Sequence, residues 1–389
     1  MKQYKVIITD VRYRMSIAPI RELAKKGYRI VAADFKTVPK RLRLGCYSRY
    51  AKIRGELSDR QSEFADDVIS LCDSGNTVLL PVNRTSLVNV IKNRSVLEKH
   101  CFFTVPDIDA LNTADDKRTM SLVAKKIGVP IPHTVSLSEY GNLDDLEKSV
   151  SYPCIIKYRN GEAMGLKPAQ RYSIVNNRGE FIREYTRMNA LDSNPICSDY
   201  IPGHDIGVAV VMNSECKPVD FLCYESLSEY PLEGGPTCFV RTIFNRNLLK
   251  YAVSLLEEIK FSGIAMLDFR GSAENAYFLE INPRVWGSAA ITEVSKSSFF
   301  ESYVKSSLGQ AKEIDIGTCT PNYNIGTKMR FTPQSFACFK ANMKKSDNKA
   351  ETFKNYVKSF FDFSVKDGLF SFGDMKPYIM YIANLFKRF

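Results

Sequence analysis

Between Gly263 and Arg284, two apolar runs each carry one carboxylate in their interior. The first reads Gly263-Ile264-Ala265-Met266-Leu267-Asp268-Phe269, the second Tyr277-Phe278-Leu279-Glu280-Ile281-Asn282-Pro283-Arg284. Runs of this length, separated by so short a connection, predict two neighbouring antiparallel strands. That pairing sets Asp268 beside Glu280, and the two-residue period puts Glu280, Asn282 and Arg284 on one face. Asp268, Glu280 and Asn282 are hard oxygen donors that suit Mg²⁺, an ion that keeps several waters and bridges nucleotide phosphates. A neighbouring guanidinium suits a phosphoryl group in transit. The alternative is a plain sheet edge facing water. The apolar flanks and the Pro283-Arg284-Val285-Trp286-Gly287-Ser288 continuation argue against it.

The rest of the chain supplies a frame for this pair. Its 389 residues, 44% of them hydrophobic, are too many for one compact core and suit two or three domains. The first third alternates strand and helix patterns: strands at 4–9, 28–34 and 77–81, helices at 17–26 and 62–72, and a further helix starting at 87–91. This order implies a parallel sheet with right-handed crossovers, a Rossmann-like α/β unit. Its first turn, Asp10-Val11-Arg12-Tyr13-Arg14, lacks glycine, so a dinucleotide fingerprint is absent. The pattern changes near residue 112. An α+β region follows, with helices at 117–126, 179–187, 246–259 and 291–308. Its strands fall at 154–157, up to 175, and at 196–201, 206–212, 218–225, 237–243, 262–270 and 275–281. The expected divisions are 1–112, 113–310 and a basic, aromatic segment 311–389.

Charge is unevenly placed. The net value is +11, and residues 1–60 alone hold 16 Lys/Arg against 5 Asp/Glu. A basic first domain suits a phosphorylated or otherwise anionic substrate, or a membrane surface. No helix-turn-helix, aromatic RNA-binding motif or zinc knuckle is legible, so no nucleic-acid partner is expected. The ten cysteines include no C-x-x-C pair, and with three histidines they offer no zinc spacing. They read as reduced thiols of a cytoplasmic protein.

With these residues in place, the 263–288 segment resembles the metal-binding end of ATP-grasp enzymes, where an acidic residue on one strand precedes E-x-N-x-R on the next. The resemblance implies that Asp268, Glu280 and Asn282 hold two Mg²⁺ ions (Mn²⁺ can substitute) between ATP phosphates. Arg284 would contact phosphate or an acyl-phosphate intermediate. Upstream motifs follow in the family's order. Asp116-Lys117 ahead of a helix and Gly128-Val129-Pro130-Ile131-Pro132 look like the entry to the fold, with Lys117 on phosphate. Tyr152-Pro153-Cys154-Ile155-Ile156-Lys157 looks like the second lysine strand, directed at the α-phosphate. The stretch from Ser198 to Asp205 resembles the adenine hinge: Ser198 in the place usually held by Glu or Gln, Tyr200 and Ile201 along the base, Asp205 on the ribose. Residues 160–167, with Lys167, would form the loop over the phosphates. The turn at 230–237, with Gly234 and Gly235, leads to Arg241 and reads as part of an acceptor or phosphate pocket. The implied fold is a Rossmann-like pre-ATP-grasp domain followed by an ATP-grasp fold of two α+β subdomains.

The implied chemistry is ATP-dependent ligation: a carboxylate is phosphorylated, ADP leaves, and an amine takes the acyl group, with Arg284, Lys157 and Arg241 as catalytic residues. Two other readings stay open, bicarbonate in place of the carboxylate and a nucleotide-binding protein without turnover. The substrates would be small molecules or precursor-linked, and a homodimer is compatible. The C-terminal segment, with Phe360, Phe361, Phe363, Phe370, Phe372 and Phe389 among lysines, reads either as a helix packed on the ligase or as a peripheral contact with the inner membrane face.

Overall fold

Three sheets arise from the strand patterns in a computed structural model, which describes residues 4–161, 164–166, 170–230, 237–272 and 274–386. The first holds β1 (Lys5–Ile8), β2 (Arg29–Phe35), β3 (Ala51–Leu57) and β4 (Thr77–Leu80), all parallel, in the order β3-β2-β1-β4. The strands β1 and β4 are buried throughout, as strands covered on both faces by helices must be. The strand β3 is not among the expected strands, although Lys52, Arg54 and Glu56 alternate with Ala51, Ile53, Gly55 and Leu57 at the period of a half-exposed strand. It is the sheet edge, where charged side chains discourage further pairing.

The change of character near residue 112 falls inside a helix, Ile108–Asp115, which is followed directly by Lys117–Lys126. A small antiparallel sheet comes next: β5 (Thr134–Ser136), β6 (Cys154–Lys157), β7 (Tyr172–Val175) and β8 (Ile196–Asp199), ordered β5-β8-β6-β7. Cys154 and Ile156 of β6 point into its core, with Phe181 and Tyr185 of helix Arg178–Asn189. Alternation therefore sends Ile155 and Lys157 to the other face.

The large sheet contains β9 (His204–Met212), β10 (Pro218–Glu229), β11 (Thr237–Ile243), β12 (Gly263–Gly271), β13 (Ala276–Asn282), β14 (Lys328–Arg330) and β15 (Lys366–Asp367). Its order is β13-β12-β9-β10-β11-β14-β15. The residues after 310 thus continue this sheet through β14 and β15. One apolar cluster runs from Val6 and Ile8 of the first sheet to Val208, Met266, Trp286 and Phe331, so the first and large sheets share a core.

The expected helix 291–308 is divided into Ala290–Val294 and Phe299–Ser307. Lys296 takes a left-handed backbone, φ 62°, and the Ser297 hydroxyl accepts from Phe299 N to restart the chain. Serines compete for local backbone bonds and favour such interruptions. The second of these helices is tied to the first domain by Glu22, whose Oε1 accepts from Phe300 N and Glu301 N at 3.0 Å each.

The C-terminal segment folds back on the first domain. Arg21, 2% exposed, donates from Nε to Asp374 Oδ2 at 3.0 Å, and Ser48 Oγ and Arg49 N reach the same carboxylate at 2.8 Å. Leu369 packs on Ile17 and Leu44, with Tyr378 and Tyr381 of helix Lys376–Phe386 against them. Among the described residues, no helix is long and apolar enough to cross a membrane.

Candidate active site

The register of β12 against β13 sets Asp268 directly opposite Glu280 and Met266 opposite Asn282. The pairing is not regular. Asp268–Glu280 is followed by Phe269–Phe278, which leaves Leu279 as an extra residue on β13. This bulge resets the side-chain alternation, so Phe278 packs against Phe269 in the core while Glu280 lies on the Asp268 face. Without it, residues 278 and 280 would share a face. Asn282 Nδ2 donates to Asp268 Oδ2 at 2.9 Å, placing all three side chains together.

Two lysines reach this patch from other elements. Asp116 caps helix Lys117–Lys126 by accepting from Thr119 N at 2.7 Å, and Arg159 holds the other oxygen of Asp116 at 2.7 Å. Lys117, at the first helical position, extends its ammonium to Glu280 Oε2 at 2.7 Å. Lys157, at the end of β6, stands near Glu280, Lys117, Asp205 and Arg270. Burial pulls its pKa below the ordinary lysine value, against the opposing influence of Glu280. Burial also pushes Asp268 well above the usual carboxylate range, and the neighbouring charge of Glu280 adds to this.

These residues line one cleft of about 910 Å³, together with Arg284, Tyr200, Asp205, Tyr224, Trp286 and the first-domain residues Arg14, Asn83 and Arg84. Gly207 explains how Tyr224 gets there. A Cβ at Gly207 would meet the Tyr224 ring at 2.2 Å, so glycine lets the ring lie across β9. Tyr224 in turn stacks on Trp286, with the ring planes 8° apart.

The donor set fits a divalent cation. Two carboxylates facing each other across a strand pair destabilise one another when ionised, and a cation between them relieves this. An amide adjoins them. Among the described residues, no three His, Cys, Asp or Glu side chains cluster around a metal position. The set is thus two carboxylates plus Asn282, which suits an ion completing its shell with water and phosphate.

Three of the expected residues lie differently from the rest. Arg241 stands opposite Glu225, on the sheet face away from Tyr224 and Asp268, and its Nε donates to Glu225 Oε1 at 2.6 Å. It does not line the cleft. Ser198 shares a sheet face with Ile155, but its hydroxyl is covered and lies 3.0 Å from Thr134 Oγ1. The carbonyl of Ile201 accepts from Arg270 Nε at 2.9 Å. Parts of two expected loops, residues 162–163 and 167–169 with Lys167, and 231–236 with Gly234 and Gly235, lie outside the described residues.

Arg270 is a cleft residue that the sequence pattern did not single out. It donates to Asp205 Oδ1 at 2.6 Å and orients that carboxylate. The signal was its position two residues after Asp268, which puts it on the same face of β12.

Comparison with known proteins agrees with this geometry. A family model described as an ATP-grasp domain matches residues 114–288. A D-alanine–D-alanine ligase from Fusobacterium nucleatum is 27% identical over 177 residues, covering 43% of this chain and 55% of that protein. One from Marinomonas sp. is 28% identical over 111 residues, covering 28% of this chain and 33% of that protein. The chain therefore spans only a third to about half of the length of these relatives. Among solved structures, N5-carboxyaminoimidazole synthetase from Staphylococcus aureus, complexed with ADP, superposes with a TM-score of 0.62 at 15% identity. It covers 84% of this chain and 81% of its own. From the paired strands to the sequence match, this evidence has one consequence: residues 114–288 carry an ATP-grasp domain.

Proposed function

We propose that the protein is an ATP-dependent ligase that activates a carboxylate as an acyl phosphate and couples it to an amine. The observation that carries this reading is the meeting of Asp268, Glu280 and Asn282 with Lys117 and Lys157 in one cleft. A carboxylate oxygen of the substrate attacks the γ-phosphorus of ATP, the bond to ADP breaks, and the amine then displaces phosphate from the acyl carbon. Lys117, Lys157 and Arg284 would hold the phosphates in line and neutralise their charge. Asp268, Glu280 and Asn282 would hold Mg²⁺, which when bound offsets charge on the phosphate oxygens. Tyr200 and Asp205 line the cleft where the resemblance puts the nucleoside. The similarity to D-alanine–D-alanine ligases favours an amino acid or another small amine as the acceptor.

Product analysis tests the reading. Pairs of amino acids and amino sugars are screened for Mg²⁺-dependent ADP release, with Glu280→Ala as the control. ADP with a new amide supports it. ADP with a carbamate in the presence of bicarbonate would instead favour carboxyphosphate chemistry. AMP with pyrophosphate would refute both.

A second reading concerns the tail. Phe363 and Phe372 are 85% and 87% exposed and lie on the same segment as Lys354, Lys358 and Lys366. Such rings and cations suit an anionic bilayer surface. Co-sedimentation with phosphatidylserine vesicles should fall when Phe363 and Phe372 are both changed to Ser. Equal recovery would remove the membrane contact.

A further inference from the structure

The cleft has a cationic position that the triphosphate chemistry does not use. Arg14 lines it from the loop after β1. That loop is fixed from beneath. Asp10 takes a left-handed backbone, φ 55°, where a glycine would be usual. Its carboxylate accepts from Asn83 N at 3.1 Å and from Arg12 Nη2 at 3.1 Å, while Arg12 N donates to Asp34 Oδ2 at 2.6 Å. Arg12 is thus turned inward and satisfied by two buried carboxylates, whereas Arg14 faces the cleft.

Among the described residues, no carboxylate is ion-paired with Arg14. Its guanidinium lies 3.6 Å from the ring centroid of Phe331, just after β14, and is hydrogen-bonded to the Tyr381 hydroxyl of the last helix. Asp367 lies farther off. Its oxygens are occupied by Thr332 N at 3.0 Å and by Leu369 N and Phe370 N at 2.7 Å each. Burial lowers the Arg14 pKa, the sign of a desolvated cation. With one N–H engaged by the Tyr381 hydroxyl, the stacked guanidinium retains further N–H donors for a planar oxyanion.

The location suits a ligand. The strand order β3-β2-β1-β4 reverses between β1 and β4, and the crevice at such a reversal is where open parallel sheets bind ligands. The loops after those two strands supply Arg14 and Asn83 to the cleft.

We propose that Arg14 binds an oxyanion, carboxylate or phosphate, carried by the substrate to be coupled, with the segment after residue 310 forming the back of that pocket. This assignment rests on the ligase reading for its role but not for its test. The chain is first saturated with Mg²⁺ and a non-hydrolysable ATP analogue, so that the triphosphate site is filled. Glutarate and inorganic phosphate are then titrated separately by calorimetry into wild type, Arg14→Gln and Arg14→Lys. Wild type should bind at least one anion saturably, and which one identifies the class. Arg14→Gln should weaken that binding roughly tenfold or more, the loss of a charge-assisted hydrogen bond. Arg14→Lys should fall between, with nucleotide affinity and melting temperature unchanged in both variants.

Wild-type affinity for the anions in Arg14→Gln would overturn the assignment. So would absence of anion binding to wild type, or an equal loss of nucleotide affinity in Arg14→Gln. Failure of wild type to bind the nucleotide would count against the ligase reading instead. The same anion titrations without nucleotide would then still decide the role of Arg14.

Discussion

Lys117 and Glu280 are bonded to each other, Nζ to Oε2 at 2.7 Å. The resemblance assigns one to phosphate and the other to metal, so this ion pair competes with both of those ligands. Nucleotide and metal together must part the pair, which couples their binding. In Lys117→Met, Glu280 loses its competitor. Mn²⁺ affinity of the nucleotide-free chain, followed by electron paramagnetic resonance, should rise several-fold. ATP affinity should fall by about tenfold for the lost phosphate contact. Unchanged Mn²⁺ affinity would mean that Glu280 is not a metal ligand.

Glu22 predicts a pH dependence away from the cleft. Burial pushes its carboxyl up to about 8, and Oε2 has no hydrogen-bond partner. The folded state therefore retains a proton that the unfolded chain releases near 4.5. Stability from this group is full below pH 4.5, declines as pH rises towards 8, and levels off above. Glu22→Gln removes the decline. Urea denaturation should show the variant gaining on wild type between pH 5 and 8, by on the order of 1 kcal/mol per pH unit, with a constant gap beyond. A gap independent of pH would contradict the assignment.

Asp374 anchors the C-terminal segment. Asp374→Ala would leave buried Arg21 with only the Glu293 carboxylate, 3.7 Å away, and should cost about 3 kcal/mol in denaturant titration. Phe372→Ala, at a position 87% exposed, should stay within about 0.5 kcal/mol of wild type. Equal small effects would show that the segment is not held through Arg21.

The bulge at Leu279 can be tested by deletion. Removing Leu279 makes Phe278 and Glu280 neighbours on a regular strand, so Phe278 stays opposite Phe269 and Glu280 stays opposite Asp268. The deletion should leave cooperative unfolding and Mn²⁺ binding by the chain in place. Loss of both would contradict this register.

Strands and helices with uninterrupted apolar patterning were legible in the sequence: β6 and helix Lys117–Lys126 have the bounds that alternation and capping suggest. The edge strand β3 is not among the expected strands: its alternation is carried by charges and small residues, without the uninterrupted apolar run that marks the other strands of its sheet. The grouping of Asp268, Glu280 and Asn282 could be anticipated from periodicity, yet the bulge that produces it depends on inter-strand register. Arg241 looked like a cleft residue because it follows a glycine turn, but cross-strand parity pairs it with Glu225. Arg14 acquires meaning only from tertiary packing. Phe331 lies far along the chain from Arg14, and no local pattern links them.

The central claim is that the strand pair β12–β13 grips a metal-bound triphosphate. Mn²⁺ and ADP titrated together, read by electron paramagnetic resonance, test it most directly. Wild type should bind Mn²⁺ far more tightly with ADP than without, and Asp268→Asn combined with Glu280→Gln should abolish that enhancement while the chain stays folded. An enhancement that survives the double substitution would place the metal elsewhere and contradict the account.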